Sequence, residues 1–74
     1  MVELMKTKYD WSNIPSEVKW IATDADGVIN GFYTEPSVIC EYKMWIAEEH
    51  LYLTIGGGVF NCLNWQDSLE ERPQ

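Results

Sequence analysis

Residues 18–33 constrain this chain most. Two β-prone runs, Val18-Lys19-Trp20-Ile21-Ala22-Thr23 and Val28-Ile29-Asn30-Gly31-Phe32-Tyr33, flank Asp24-Ala25-Asp26-Gly27. Asp tolerates left-handed dihedrals and Gly takes positive φ at no steric cost, so these letters read as the turn of a hairpin. Thr34-Glu35-Pro36-Ser37 ends the returning strand, because Pro36 has no N–H to give to a sheet ladder.

Beyond the hairpin the pattern stays β. From Val38 to Ile46, Cys40, Tyr42, Met44 and Ile46 alternate with Glu41, Lys43 and Trp45. This period of two predicts one half-buried strand with the Cys40 face inward. Ala47-Glu48-Glu49-His50 breaks it. Leu51, Leu53 and Ile55 then share a face opposite Tyr52 and Thr54. Gly56-Gly57-Gly58 reads as a turn or bulge before a last strand, Val59–Trp65. No segment sustains a 3.6-residue apolar period. The expected fold is mostly β: a small antiparallel sheet or curled barrel of about five short strands, with one or two helical turns at the ends at most. Residues 1–13 read as an arm and residues 14–65 as the β core. Residues 66–74 read as a polar tail in which Asp67 or Ser68 caps a helical turn through Leu69-Glu70-Glu71. In the arm, Trp11-Ser12-Asn13-Ile14-Pro15 reads as a turn, with Trp11 and Ile14 as anchors onto the core.

Size and charge exclude several functions. A 74-residue chain has no room for a doubly wound nucleotide-binding sheet. Its 12 acidic and 5 basic residues give a net charge of −7, the wrong sign for gripping duplex DNA. No secretory signal pattern and no apolar run of the roughly 18 residues needed to span a membrane is visible. Cys40 and Cys62 lack CxxC spacing; a disulfide is conceivable, but they read first as free, partly buried thiols of a reducing compartment. With His50 as the one histidine, they make no zinc set. No metal or cofactor is expected.

Thr23-Asp24-Ala25-Asp26-Gly27-Val28-Ile29 has a superficial likeness to the first motif of haloacid-dehalogenase-type phosphatases. A hairpin turn explains the same letters and is the preferred reading, since the later motifs of that fold have no room here. A calcium loop would need more oxygen ligands at alternate positions. Gly56-Gly57-Gly58 has no following Lys and no helix, so it is not a P-loop. No nucleophile–base pair stands out, and a non-enzymatic protein is expected.

The remaining signals concern binding. Ten of the residues are Trp, Tyr or Phe, more than so small a core needs. Trp45 lies on the Glu41/Lys43 face. It is either an exposed interface anchor or packed beneath the arm or tail. Asp24/Asp26, Glu48/Glu49 and Glu70/Glu71 form acidic pairs in turns and tail, suited to steering a basic partner.

Tyr9-Asp10-Trp11-Ser12-x-x-Pro15, Trp20-Ile21-Ala22-Thr23-Asp24-x-Asp26-Gly27, Phe32-x-x-x-Pro36, Trp45, and Trp65-Gln66-Asp67-Ser68-Leu69-Glu70-Glu71-Arg72-Pro73 span nearly the whole chain. Together they resemble a family of small uncharacterised proteins of tailed bacteriophages and prophages. The resemblance implies a phage accessory protein in the cytoplasm of an infected bacterium, and brings no catalytic residues with it. Two functions follow as expectations. The first is a non-catalytic inhibitor of a host defence protein, binding through Trp45, Asp24, Asp26, Glu48 and Glu49. The second is an oligomeric sponge for a nucleotide signal, using Lys19, Lys43 and Gly56, Gly57 and Gly58. Open strand edges favour a homodimer in both.

Overall fold

The computed structural model describes residues 7–48, 52–57 and 64–73. It is an antiparallel β structure. Strands β1 (Trp20–Thr23), β2 (Val28–Phe32), β5 (Tyr52–Gly57) and β6 (Glu70–Glu71) form one sheet in the order β5-β2-β1-β6. Strands β3 (Ser37–Ile39) and β4 (Met44–Ile46) form a separate hairpin. A 3-10 turn, Trp65–Asp67, precedes β6. Among the described residues the larger sheet is open rather than closed into a barrel.

The central hairpin forms where the turn chemistry puts it. Trp20 pairs with Phe32 and Thr23 with Ile29. The Asp24 N–H donates to Val28 O and the Gly27 N–H to Asp24 O, each at 2.9 Å. Gly27 has φ 93°, the left-handed conformation that its missing Cβ permits. Strand β1 is covered on both faces, with Ile21, Ala22 and Thr23 all buried. That explains why its sequence is a continuous apolar run rather than an alternation.

On one face Ala22 and Phe32 pack with Trp45, Ala47 and Trp65, and Trp20, Val38 and Leu69 close around them. On the other face Val18 and Ile55 lie over Gly31. A Cβ there would sit 2.7 Å from Val18 Cγ1 and 3.1 Å from Ile55 Cδ1, so this close approach needs glycine. Between Ile29↔Gly56 and Asn30↔Thr54 the register slips by one residue, leaving Ile55 as a bulge. Gly56 and Gly57 continue β5 past that bulge instead of making a turn.

Three expectations are corrected. The Val38–Ile46 segment is two strands joined by residues 40–43, with Lys43 at φ 55°. The break reverses the faces: Trp45 is 6% exposed, whereas Cys40, Tyr42 and Met44 are exposed. Cys40 is a free thiol and exposed, not partly buried. The polar tail is not an appendage with a helical turn. Its Glu70 and Glu71 pair with Ile21 and Trp20.

The tail and arm hold each other. The Trp11 Nε1–H and the Lys8 N–H donate to the two carboxylate oxygens of Glu70, both at 2.9 Å. Lys8 Nζ donates to Asp67 O and Leu69 O. The Tyr9 hydroxyl donates to Ser68 O and meets Thr23 Oγ1 at 2.7 Å. Arg72 donates to the carbonyls of Val18, Ile14 and Pro15, and its guanidinium lies 4.8 Å from the Trp11 ring centroid. Leu51, residues 59–63 with Cys62, and His50 lie outside the described residues.

Candidate functional site

The β3–β4 hairpin leans over the sheet and leaves a cleft of about 290 Å³. Val28, Asn30 and Phe32 of β2 and Tyr52 and Thr54 of β5 form one wall; Met44, Trp45 and Ile46 of β4 form the other. Asp24 stands at the end nearest the β1–β2 turn. The strand alternation that puts Phe32 in the core also puts Val28 and Asn30 on its face. Tyr52, 55% exposed, and Met44 mark the rim. The Phe32 and Tyr52 rings are tilted at 41° with centroids 6.3 Å apart.

Three polar side chains enter this apolar space. Asp24 Oδ1 accepts the Trp45 backbone N–H at 2.9 Å. Asn30 Oδ1 accepts the Thr54 hydroxyl at 2.9 Å. Asp24 and Asn30 are both more than nine-tenths buried. Trp45 is locked in place as its Nε1–H faces Thr23 O and Trp65 O, each at 3.1 Å, and its ring meets Trp65 edge-on.

Burial pushes the Asp24 carboxyl above its ordinary value. The Trp45 N–H opposes this, and the neighbouring Asp26 charge adds to it. Because the folded pKa is raised, protonation favours the folded state. That contribution is complete below the unfolded carboxylate pKa and is lost as pH rises through the folded value. The ionised group therefore costs stability at neutral pH. Asp24→Asn keeps an acceptor for Trp45, and is expected to raise the urea midpoint at neutral pH. The gain should shrink on acidification through the raised folded pKa and vanish below the ordinary value of 3.8. Urea titrations of both proteins across that range check this; a variant less stable at neutral pH would contradict it.

The structure scatters the residues expected to bind a partner. Trp45 and Asp24 do share the cleft, but as buried groups: of the two readings of Trp45 the packed one holds, and the reading of Asp24 as part of a solvent-facing acidic pair is corrected. Asp26 is exposed and accepts the Val28 N–H in the turn. Glu48 is exposed, and Glu49 lies outside the described residues. The nucleotide set is divided. Lys43 and Gly57 lie near the β1–β2 turn, through Ala25 N to Lys43 O and the Val28↔Gly57 pair. Lys19 lies at the opposite end of the sheet, where its N–H meets Phe32 O. Gly56 is exposed, with open space where a Cβ would be, and Gly58 is outside the described residues. Asn30, Thr54, Phe32 and Tyr52 were not singled out by sequence reasoning. The available signal was Asn30, a polar residue on the Val28/Phe32 face of a strand.

Among the described residues no group of three His, Cys, Asp or Glu is placed to hold a metal ion, and no helix is long and apolar enough to cross a membrane. Comparison with protein-family models, curated proteins and solved structures gives no match.

Proposed function

We propose that this protein is a non-catalytic binding protein that docks on, and blocks, a basic surface of a host protein. The observation that carries this reading is the cleft: concave, walled by Phe32, Trp45 and Tyr52, and rimmed by exposed Met44 and Tyr52. Aromatic pockets at a desolvated centre are where binding energy concentrates. The polar groups inside it, a carboxylate, a carboxamide and a hydroxyl already committed to that carboxamide, favour recognition over catalysis. The net charge of −7 favours a basic partner and speeds encounter with it. A phage accessory role in the host cytoplasm rests on the resemblance described above. The anchors pass from Trp45 to Tyr52 and Met44, while Asp26 and Glu48 keep the steering role.

The nucleotide sponge is the weaker reading. Its phosphates would meet a net negative charge, and Lys19 stands apart from Lys43 and Gly57. Homodimer formation remains part of the proposal, since β5 pairs among the described residues with β2 alone.

Native mass spectrometry of protein re-isolated from a bacterial lysate tests the choice. A host protein in fixed ratio, weakened by salt and lost in a Tyr52→Ala, Met44→Ala double variant, is the expected outcome. A stoichiometric small-molecule adduct on an oligomer would instead establish the sponge.

A further inference from the structure

We infer that the cleft receives a cationic side chain, lysine or arginine, projecting from the partner protein. This rests on the reading of the protein as a protein-binding module and names the chemistry of its central contact.

Asp24 is the group that calls for a cation. Its side chain is 8% exposed, and its only described hydrogen bond uses Oδ1. The second oxygen has no described partner. Yet among the described residues no fully enclosed side-chain N or O lacks a hydrogen bond. That oxygen is therefore reached from outside, and Asp24 lines the cleft. The protein's own described cations are not engaged there: Lys8 and Arg72 donate to backbone carbonyls, and Lys19 and Lys43 are exposed. A largely buried carboxylate without a counter-charge is costly, and a cation arriving through the cleft offsets that cost.

The walls suit the rest of such a side chain. An aliphatic stem packs against apolar surface while its head reaches the charge. Tyr52, exposed at the rim, offers a π system that attracts cations. Asn30 Oδ1 accepts one bond from Thr54 and keeps a second lone pair for an incoming N–H.

Other occupants fit less well. An anion meets Asp24 and a net charge of −7. A neutral apolar group leaves the carboxylate unpaired. A hard metal ion needs about six oxygen ligands, and this cleft is mainly hydrocarbon. At about 290 Å³ it lies at the small end of ligand pockets, the size of one long side chain with its rim covered by the protein that carries it.

The test is an NMR titration of the intact protein with N-acetyl-arginine methylamide, N-acetyl-lysine methylamide and N-acetyl-citrulline methylamide. Citrulline has the shape of arginine without its charge. Saturable shifts at the Asp24 and Trp45 amides, the Trp45 indole N–H and the Asn30 carboxamide are expected with a cation. Citrulline should leave them still. Asp24→Asn should weaken cation binding at least about tenfold, as expected on losing a desolvated charge partner. Tyr52→Ala, a change at the exposed rim, should weaken it several-fold. Equal binding of citrulline, or undiminished cation binding by Asp24→Asn with a wild-type spectrum, would overturn the inference. A host complex that survives Asp24→Asn unweakened would sink the inference and leave the binding function standing. Absence of any host complex with the wild-type protein would remove the function itself.

Discussion

Trp45→Ala is expected to leave the protein largely unfolded at room temperature. Trp45 is 6% exposed at the centre of the core, between Ala22, Phe32, Ala47 and Trp65. Truncating a buried Trp typically costs about 3–5 kcal/mol through lost transfer energy and the cavity left behind. The Thr23 and Trp65 carbonyls also lose the indole N–H they share, but each keeps a donor from Ser68, so the cavity carries most of the cost. A single core in a chain of 74 residues rarely supplies more than about 3–5 kcal/mol in total. Trp45→Phe keeps most of the ring volume and loses the N–H, so it should fall between the two. Urea unfolding followed by circular dichroism reads both variants. A Trp45→Ala protein with a near-normal midpoint would mean that the side chain is a surface anchor after all.

Arg72→Ala is the second large effect, at about 2–3 kcal/mol. The guanidinium ties three carbonyls, those of Ile14, Pro15 and Val18, at 2.7–2.9 Å, and stacks against Trp11. Charge-assisted hydrogen bonds are individually worth more than neutral ones, but partial exposure here reduces the sum. Arg72→Lys keeps the charge without the planar fork, so it should recover less than half of the loss. A double-mutant cycle with Trp11→Leu should give a coupling of about 0.5–1 kcal/mol. Strict additivity of the two changes would show that the ring and the guanidinium do not interact.

The central hairpin was legible in the sequence because its turn is encoded locally. Asp24 and Gly27 carry the conformational preferences that close it, and the flanking residues need only be β-formers. The region from Val38 to Ile46 was not legible, because its reversal runs through Lys43. A lysine at φ 55° gives none of the signal that Gly or Asn would. Missing that turn kept one alternation running through it, and so turned Trp45 outward. Strand β6 was hidden for another reason. Glu70 and Glu71 pair with β1 through backbone groups, which no side-chain pattern announces. The candidate site was half legible: Asp24 reads as a solvent-facing turn residue, and Trp45 reads as either an exposed anchor or a packed side chain, of which the second holds. Asn30 was passed over because its neighbours on that face are distant in sequence.

The residues that carried the family resemblance are largely used in building the fold. Tyr9, Trp11, Ser68, Glu70 and Arg72 join arm to tail. The cleft draws mainly on other positions, with Asp24, Phe32 and Trp45 in both sets.

That clasp also decides when the protein can form. Its contacts join positions as far apart as Lys8 and Glu70, 62 residues along the chain, and Ile14 and Arg72, 58 apart. On the ribosome, β1 must wait with one edge bare until residues 65–72 have cleared the exit tunnel. The nascent chain can close its β1–β2 hairpin early and add β5, but the β6 edge is completed only afterwards, through distant pairings. Such topologies fold slowly and keep unpaired edges exposed meanwhile. Each newly made copy therefore spends an interval with β1 available to strands other than its own.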